Sequence, residues 1–148
     1  DSPFGNVGRP LALFEGYRPK AYLDVANIPT ICWGDTRNVQ MGRTASREEC
    51  EARLEQQALS HVEPVLACVP GLRGHDNQIV AAGSLAYNIG PRAFCNSTAA
   101  ARFRSGDFRG GCNSFMSWNK ARINGHLVPV QGLTNRRRAE REICLRGL

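Results

Sequence analysis

The sequence predicts an α+β fold in which a short strand-bearing segment precedes a connecting helix and a group of shorter helices. Residues 21–43 are rich in turn-forming residues and contain the β-prone pieces AYL and TICW. These pieces predict two or three short strands joined by tight turns. From Ser46 onward the apolar residues recur at helical spacing instead. We therefore expect a small β-containing lobe, a connecting helix and a larger helical lobe.

The connecting helix is predicted over about 46–69. Ser46 is followed three residues later by Glu49, which is the signature of a capping box at a helix N-terminus. Pro64 predicts a bend, and Pro70 predicts the end of the helix. The apolar positions that repeat at helical spacing are Leu54, Ala58, Val62 and Val65.

Further helical segments are predicted after Pro70, with the pieces IGP, SGD and NGHLVPVQG dividing them. They lie near 76–89, 97–105, 107–118 and 135–146, and Thr134 is placed to cap the last one. The sequence holds no internal repeat and no flexible linker. We expect one domain over 1–148, with an N-terminal lobe at about 14–50, a helical lobe at about 70–148 and a cleft between them.

The charge of the chain favours an anionic partner. The formal net charge is +6, and 17 of the 19 basic residues are arginine. A nucleic acid and an anionic bacterial wall polymer both fit such a balance. The densest basic cluster, NRRRAERE at 135–142, is interpreted as a solvated helix face rather than a phosphate-binding patch, because acidic residues alternate with the basic ones.

The sequence contains no predicted membrane span. Its longest apolar stretch, IVAAGSLAYNIG, falls short of the roughly 18 residues that a spanning helix needs. The first residues, DSPFGN, also lack the basic and then apolar pattern of a signal peptide. Export would therefore be encoded upstream or depend on other proteins.

Six cysteines stand singly along the chain, without the spacing of a zinc site. An even count in a small chain favours disulfides and an oxidising compartment, whereas six buried thiols are the alternative. Cys32 falls in the predicted strand segment and Cys50 in the first turn of the connecting helix, so we expect them to pair. Six cysteines allow fifteen connectivities. The other predicted pairs are Cys112–Cys144, on helical segments of the second lobe, and Cys68–Cys95, by elimination.

Two isolated carboxylates stand near the start of the chain. Glu15 follows the apolar run LALF, and Asp24 comes nine residues later, beyond a region that must turn. The two could face each other across a gap, which is the arrangement that glycoside hydrolysis requires, and the hydroxyl of Thr30 could hold a water. The spacing alone is equally typical of a helix-end glutamate and a turn aspartate.

The run E-G-x-R-x-x-A-Y-x-D-x-x-x-x-x-T, which contains Glu15, Asp24 and Thr30, resembles the catalytic signature of phage-type lysozymes. This is the T-even and lambdoid endolysin family, glycoside hydrolase family 24. SLAYNIGPRAFCNST at 84–98 resembles its second motif, and GLTNRRRAEREIC at 132–144 resembles its C-terminal motif. The resemblance covers nearly the whole chain in the expected order. It implies a lysozyme-like fold and hydrolysis of the β-1,4 bond between N-acetylmuramic acid and N-acetylglucosamine in peptidoglycan.

The resemblance also implies a role for individual residues. Glu15 would be the general acid, Asp24 would position water or stabilise the transition state, and Thr30 would be the third catalytic member. Inversion at the anomeric carbon is implied, with the carboxyls about 6.5–9.5 Å apart. No metal or cofactor is implied. Arg136 would form an ion pair with the catalytic glutamate, and the implied substrate contacts are Thr36, Tyr87 and Ser97.

The chain departs from the family pattern at two positions. Asp35 stands where relatives often have histidine, and Cys32 stands where they often have glycine. The first departure argues against a histidine ion pair beside the predicted hairpin.

Two other functional classes compete with this interpretation. A cysteine hydrolase is disfavoured, because no histidine has a context that nominates a nucleophilic cysteine. A non-catalytic, cationic wall-binding or antimicrobial module on the same fold is the chief alternative. On the favoured interpretation the partner is peptidoglycan, not nucleic acid, and the protein is a monomer in the periplasm of an infected host.

Overall fold

The computed structural model describes residues 18–23 and 27–148. Glu15 and Asp24 lie outside the described residues. The strands are β1 (Arg18–Leu23), β2 (Pro29–Cys32), β3 (Lys120–Ile123) and β4 (His126–Pro129). The α-helices are α1 (Arg47–Leu59), α2 (Val62–Cys68), α3 (Asp76–Ile89), α4 (Pro91–Cys95), α5 (Thr98–Arg104), α6 (Phe108–Asn113) and α7 (Gln131–Leu145). Short 3-10 turns occupy Pro70–Leu72 and Ser114–Ser117. The mixture of helices and small antiparallel sheets confirms the predicted α+β class.

Strands β1 and β2 form an antiparallel hairpin in which Thr30 pairs with Tyr22. Directly after β2 the chain reverses, because Ile31 and Asp35 exchange two backbone hydrogen bonds of 2.9 Å each. Cys32 lies inside this reversal with a φ of 61°, in the left-handed region that favours glycine. Trp33 and Asp35 in this reversal are buried, as is Thr30 in β2.

Helix α1 begins as the sequence predicts, but it ends early. The hydroxyl of Ser46 accepts a hydrogen bond from the backbone N–H of Glu49 at 3.1 Å. The predicted single helix with a bend at Pro64 is wrong, since the chain breaks at Ser60–His61 and a separate helix, α2, begins at Val62. A proline ring clashes with the carbonyl four residues before it, which here is the carbonyl of Ser60, so the break falls one turn upstream of Pro64.

Helix α3 lies at the centre of the helical part of the chain. It packs most extensively against α7 and α1. Small residues line its buried middle, and a Cβ added at Gly83 would lie 2.3 Å from the carbonyl oxygen of Ala58 on α1. The two backbones are therefore in contact at this crossing, and glycine is the side chain that permits it.

Helix α7 begins earlier than predicted. The predicted cap at Thr134 is wrong, because the helix starts at Gln131 and Thr134 lies inside it. The Thr134 hydroxyl instead accepts a hydrogen bond from Nδ2 of Asn119 at 3.1 Å. At the other end of α7, Nε2 of Gln78 donates to the carbonyl of Cys144 at 2.5 Å. A side chain of α3 thus caps the last turn of α7.

The segment before α7, which the sequence predicts only to separate two helices, forms a second hairpin from β3 and β4. Asn124 and Gly125 form its two-residue turn with φ values of 52° and 82°. Both values are positive, as a type I′ turn requires, and Asn-Gly is its preferred pair. The outer residues of the hairpin are exposed, Leu127 to 59%. Among the described residues, every helix is too short or too polar to cross a membrane.

The contact between Gly83 and Ala58 predicts that Gly83→Ala is destabilising. We expect a loss of about 1–3 kcal/mol in the free energy of unfolding, as for other overpacked cores. Urea unfolding measures it. The matched control is Gly132→Ala on α7, where an added Cβ has no neighbour within 4 Å. That control should gain about 0.5–1 kcal/mol from helix propensity. A Gly83→Ala protein as stable as the wild type would contradict the close crossing.

Candidate active site

Three disulfides connect the elements of the fold. One joins the first hairpin to a helix, and the other two each join a pair of helices. The first joins the end of β2 to the first turn of α1, with the two Cα atoms 5.2 Å apart. The second joins the last residues of α2 and α4, and the third joins α6 to α7. These are the same three pairs that the sequence predicts, namely Cys32–Cys50, Cys68–Cys95 and Cys112–Cys144.

Thr30 lies in β2 with its side chain buried and its hydroxyl oriented by the backbone. It is 3% exposed, and its Oγ1 donates a hydrogen bond of 2.8 Å to the carbonyl of Ile28. Because this bond uses the hydroxyl proton, the lone pairs of Oγ1 remain as acceptors. The Thr30 side chain can therefore accept a hydrogen bond from a water molecule in a fixed direction.

The guanidinium of Arg136 connects four elements of the structure. From its place on α7 it donates to the carbonyl of Trp33, just after β2, at 3.0 Å. A second nitrogen donates to Oε1 of Gln57 on α1 at 2.9 Å and to Oγ of Ser84 on α3 at 3.1 Å. The side chain is 4% exposed. Arg136 thus holds the hairpin reversal beside Thr30 against the helices.

Glu140 is the buried carboxylate that faces Arg136. Its Oε2 lies 3.2 Å from Nε of Arg136 and also accepts from Oγ of Ser84 at 2.5 Å. Its Oε1 lies 2.7 Å from Nε of Arg137, and neither Arg137 nor Glu140 is exposed. Arg137 donates in addition to Oδ1 of Asn88 at 2.8 Å. Glu140, Arg136, Arg137 and Ser84 form one buried polar network between α3 and α7.

This network corrects the interpretation of 135–142 as a solvated helix face. Arg136, Arg137 and Glu140 are buried, and only Arg138 on this turn is exposed. A buried charge needs a partner of opposite sign and hydrogen bonds for its other atoms, and Glu140, Ser84 and Gln57 supply them here. The sequence does contain one signal of this burial. Arg136 and Glu140 stand at helical spacing from the apolar Ile143 and therefore lie on the same face of the helix.

Within the described residues the network carries two arginines but a single carboxylate. Burial lowers the pKa of Arg136, and the neighbouring charge of Arg137 acts in the same direction, whereas Glu140 opposes the shift. Asp35 also favours the charged form of Arg136, but its oxygens are already bonded to other groups. The described part of the network therefore has an excess of one positive charge, which one more carboxylate would neutralise.

The loop after the hairpin reversal is held to α1 by Arg53. Its Nη1 forms an ion pair with Oδ2 of the buried Asp35 at 2.7 Å and donates to the carbonyl of Arg37 at 2.7 Å. Asp35 in turn accepts from the backbone N–H of Arg37 at 3.0 Å. The departure from histidine at Asp35 is thus accompanied by an aspartate–arginine pair beside the hairpin, which the sequence did not predict.

The residues implied as substrate contacts lie in different environments. Thr36 is exposed in the loop that Arg53 holds. Tyr87 is half-buried on α3, between the guanidinium of Arg37 and the imidazole of His61. Ser97 is buried, and its hydroxyl donates to the carbonyl of Phe94 and accepts from the N–H of Ala100, as a helix cap does. The described residues contain no cluster of His, Cys, Asp or Glu side chains arranged to hold a metal ion.

The buried network predicts a large effect of Glu140→Gln on stability. The change removes the one carboxylate that the described residues supply to these two buried arginines, so we expect a loss of about 3–5 kcal/mol in urea unfolding. Glu142→Gln, two residues along the same helix, is the matched control. Burial raises the pKa of Glu142, so its ionised form is held less well in the folded protein and neutralising it should cost little. Equal losses in the two variants would contradict a special role of Glu140.

The first disulfide and the backbone of Cys32 predict a graded effect of two double variants. Cys32→Ala with Cys50→Ala should lose about 3 kcal/mol, as expected for a bridge that closes a short loop. Cys32→Gly with Cys50→Ala should lose about 1 kcal/mol less, since glycine relieves the strain of the left-handed backbone. Urea midpoints of the two proteins measure the difference. Equal stability of the two variants would show that residue 32 is not strained.

Comparisons with known proteins agree with this architecture. The family model described as Phage lysozyme matches residues 12–140. A SAR-endolysin of Pseudomonas phage phiKMV is 37% identical over 135 residues, covering 91% of this chain and 83% of that protein. Among solved structures, the endolysin from Escherichia coli O157:H7 phage FAHEc1 gives a TM-score of 0.65 at 32% identity, covering 98% of this chain and 94% of that one. The muramidase domain of SpmX from Asticaccaulis excentricus gives 0.62 at 27% identity, covering 95% of each chain. The chain therefore belongs to the phage lysozyme family.

Proposed function

We propose that the chain is an endolysin that cleaves the β-1,4 bond between N-acetylmuramic acid and N-acetylglucosamine with inversion, and that Glu15, Asp24 and Thr30 carry the reaction. As a member of the phage lysozyme family it is a glycoside hydrolase, and its substrate is peptidoglycan. Glu15 protonates the leaving oxygen in this proposal. Asp24 and Thr30 position the water that attacks the opposite face of the sugar.

The observation that carries the proposal is the charge balance around Arg136. Two buried arginines face one carboxylate among the described residues. A carboxylate at Glu15 paired with Arg136 would complete the balance, which is the ion pair that the family resemblance implies. Arg136 is itself held against the reversal that follows Thr30. A general acid bound to Arg136 would therefore stand close to the strand that carries the water-positioning hydroxyl.

The state of Thr30 also supports the proposal. An inverting glycosidase needs a water held between its carboxylate and the sugar. The hydroxyl of Thr30 donates to its own backbone and keeps its lone pairs for an incoming donor. We assign to Thr30 the second contact of that water and to Asp24 the removal of its proton.

Substrate binding is proposed at Thr36, Tyr87 and Ser97. Thr36 and Tyr87 lie on the two segments that Arg37 connects, the loop after the first hairpin and α3. Ser97 contributes through the start of α5, which its hydroxyl caps. No metal or cofactor takes part in the proposed reaction.

The proposed setting is the periplasm of a phage-infected bacterium. Several relatives are named SAR-endolysins or endolysins of phages. Three disulfides suit an oxidising compartment of this kind. We propose a single catalytic domain over residues 1–148 that acts as a monomer on peptidoglycan and has no nucleic-acid partner.

Replacement of Glu15 tests the proposal. Glu15→Gln keeps the size of the side chain but cannot donate the proton, so the rate of muropeptide release should fall about 10²–10⁴-fold. Turbidity of chloroform-permeabilised bacteria and the release of reducing ends measure the rate, and circular dichroism verifies the fold. Glu48→Gln, which changes the net charge equally on an exposed turn of α1, is the control and should keep wild-type activity.

If the folded Glu15→Gln protein lyses bacteria at the wild-type rate, the general-acid assignment fails. Lysis without any new reducing ends, in the wild type as in the variant, would instead identify a cationic module that disrupts the wall by charge.

A further inference from the structure

Arg37 is a cation whose backbone is held in place and whose charge is neutralised by no carboxylate of the described residues. Among the described residues its side chain forms no ion pair, and its exposed guanidinium donates no hydrogen bond to the protein. Its backbone, by contrast, is fixed on both sides. The N–H donates to Asp35, and the carbonyl accepts from Arg53. The side chain therefore leaves the loop from a defined point.

The charges around this loop are otherwise balanced. Arg53 pairs with Asp35 at 2.7 Å, and Arg43 pairs with Glu49 at 2.6 Å. Of the three arginines in this cluster, Arg37 alone has no carboxylate partner in the described part of the chain. A guanidinium is built to bind a carboxylate through two parallel hydrogen bonds, and the one on Arg37 is available for it.

Tyr87 orients the free guanidinium. The central carbon of the Arg37 guanidinium lies 5.2 Å from the centroid of the Tyr87 ring, within the range of a cation–π contact. The ring of His61 meets Tyr87 edge-on, with centroids 5.4 Å apart, and Nδ1 of His61 lies 2.9 Å from Oγ of Ser60. The tyrosine is thus supported from the break between α1 and α2. Contact through the face of an aromatic ring leaves the N–H groups at the edge of a guanidinium accessible.

We propose that Arg37 binds a carboxylate of the peptide that substitutes the muramic acid residues, and so makes the enzyme prefer anionic, peptide-bearing glycan to neutral glycan. The proposal rests on the proposed function, because it places Arg37 beside Thr36 and Tyr87 at the substrate. Peptidoglycan differs from an unsubstituted polysaccharide in these peptide carboxylates. An unpaired arginine next to the sugar contacts is the group that would recognise that difference.

The test varies the charge of the enzyme and the charge of the substrate independently of each other. Native sacculi are compared with sacculi whose carboxylates have been converted to neutral methylamides, at one fixed ionic strength. The measured quantity is kcat/KM for the release of reducing ends. Arg37→Gln removes the proposed contact, and Arg37→Lys keeps the positive charge. Arg109→Gln is the matched control, since it lowers the net charge equally from an exposed position on α6.

We expect Arg37→Gln to reduce kcat/KM about tenfold on native sacculi, chiefly through KM, in line with one charge-assisted hydrogen bond at an exposed site. On neutralised sacculi the wild type should fall to the level of Arg37→Gln, and the two enzymes should no longer differ. Arg37→Lys should retain part of the preference for native sacculi. Arg109→Gln should follow the wild type on both substrates.

An equal loss of Arg37→Gln on native and neutralised sacculi would overturn the proposal, because the residue would then act on the fold or on the reaction itself. A loss no greater than that of Arg109→Gln would overturn it as well, since only the overall charge would matter. Failure of the proposed function has a different signature, in which the wild type releases no reducing ends from either substrate.

Discussion

The buried guanidinium of Arg136 is the interaction on which the arrangement of the site depends. One side chain of α7 binds the carbonyl after β2, the amide of Gln57 on α1 and the hydroxyl of Ser84 on α3. Each of these partners comes from a different element, so the position of the hairpin relative to the helices is set by hydrogen bonds of fixed direction. Apolar packing has no preferred direction, so packing alone would let the hairpin slide over the helices.

The network can exist because the helices around it approach closely. Gly83 lets α1 lie against α3 at Ala58, and the next residue of α3, Ser84, then reaches both Glu140 and Arg136. A larger residue at position 83 would move α1, and with it Gln57, away from the guanidinium. The close crossing of α1 and α3 therefore determines both the local packing and the geometry of the polar network.

Those features that depend on short-range chemistry could be predicted from the sequence. The cap at Ser46 and the pairing of Cys32 with Cys50 involve neighbouring elements and follow from local patterns. The buried state of Glu140 could not be predicted, because it depends on Ser84 of α3, which lies far away in the chain. The acidic residues that alternate with the arginines on this turn instead favour a solvated helix face.

Other differences have local causes. The break at Ser60 rather than at Pro64 follows from where a proline ring clashes, which is one turn before the proline itself. The second hairpin was missed although its Asn-Gly turn is a strong signal, because the flanking residues alternate too weakly to indicate a buried face. They have no such face to indicate, since most of that hairpin is exposed.

This exposure makes the tip at Asn124–Gly125 a natural point for joining a second polypeptide to the enzyme. The strands β3 and β4 bring the two ends of an insert side by side, so a small domain whose termini are adjacent could be spliced there with little distortion. Lengthening a loop costs only about 0.6 kcal/mol for each doubling of its length. A wall-targeting domain or a fluorescent reporter could thus be carried by the enzyme at the tip of this hairpin.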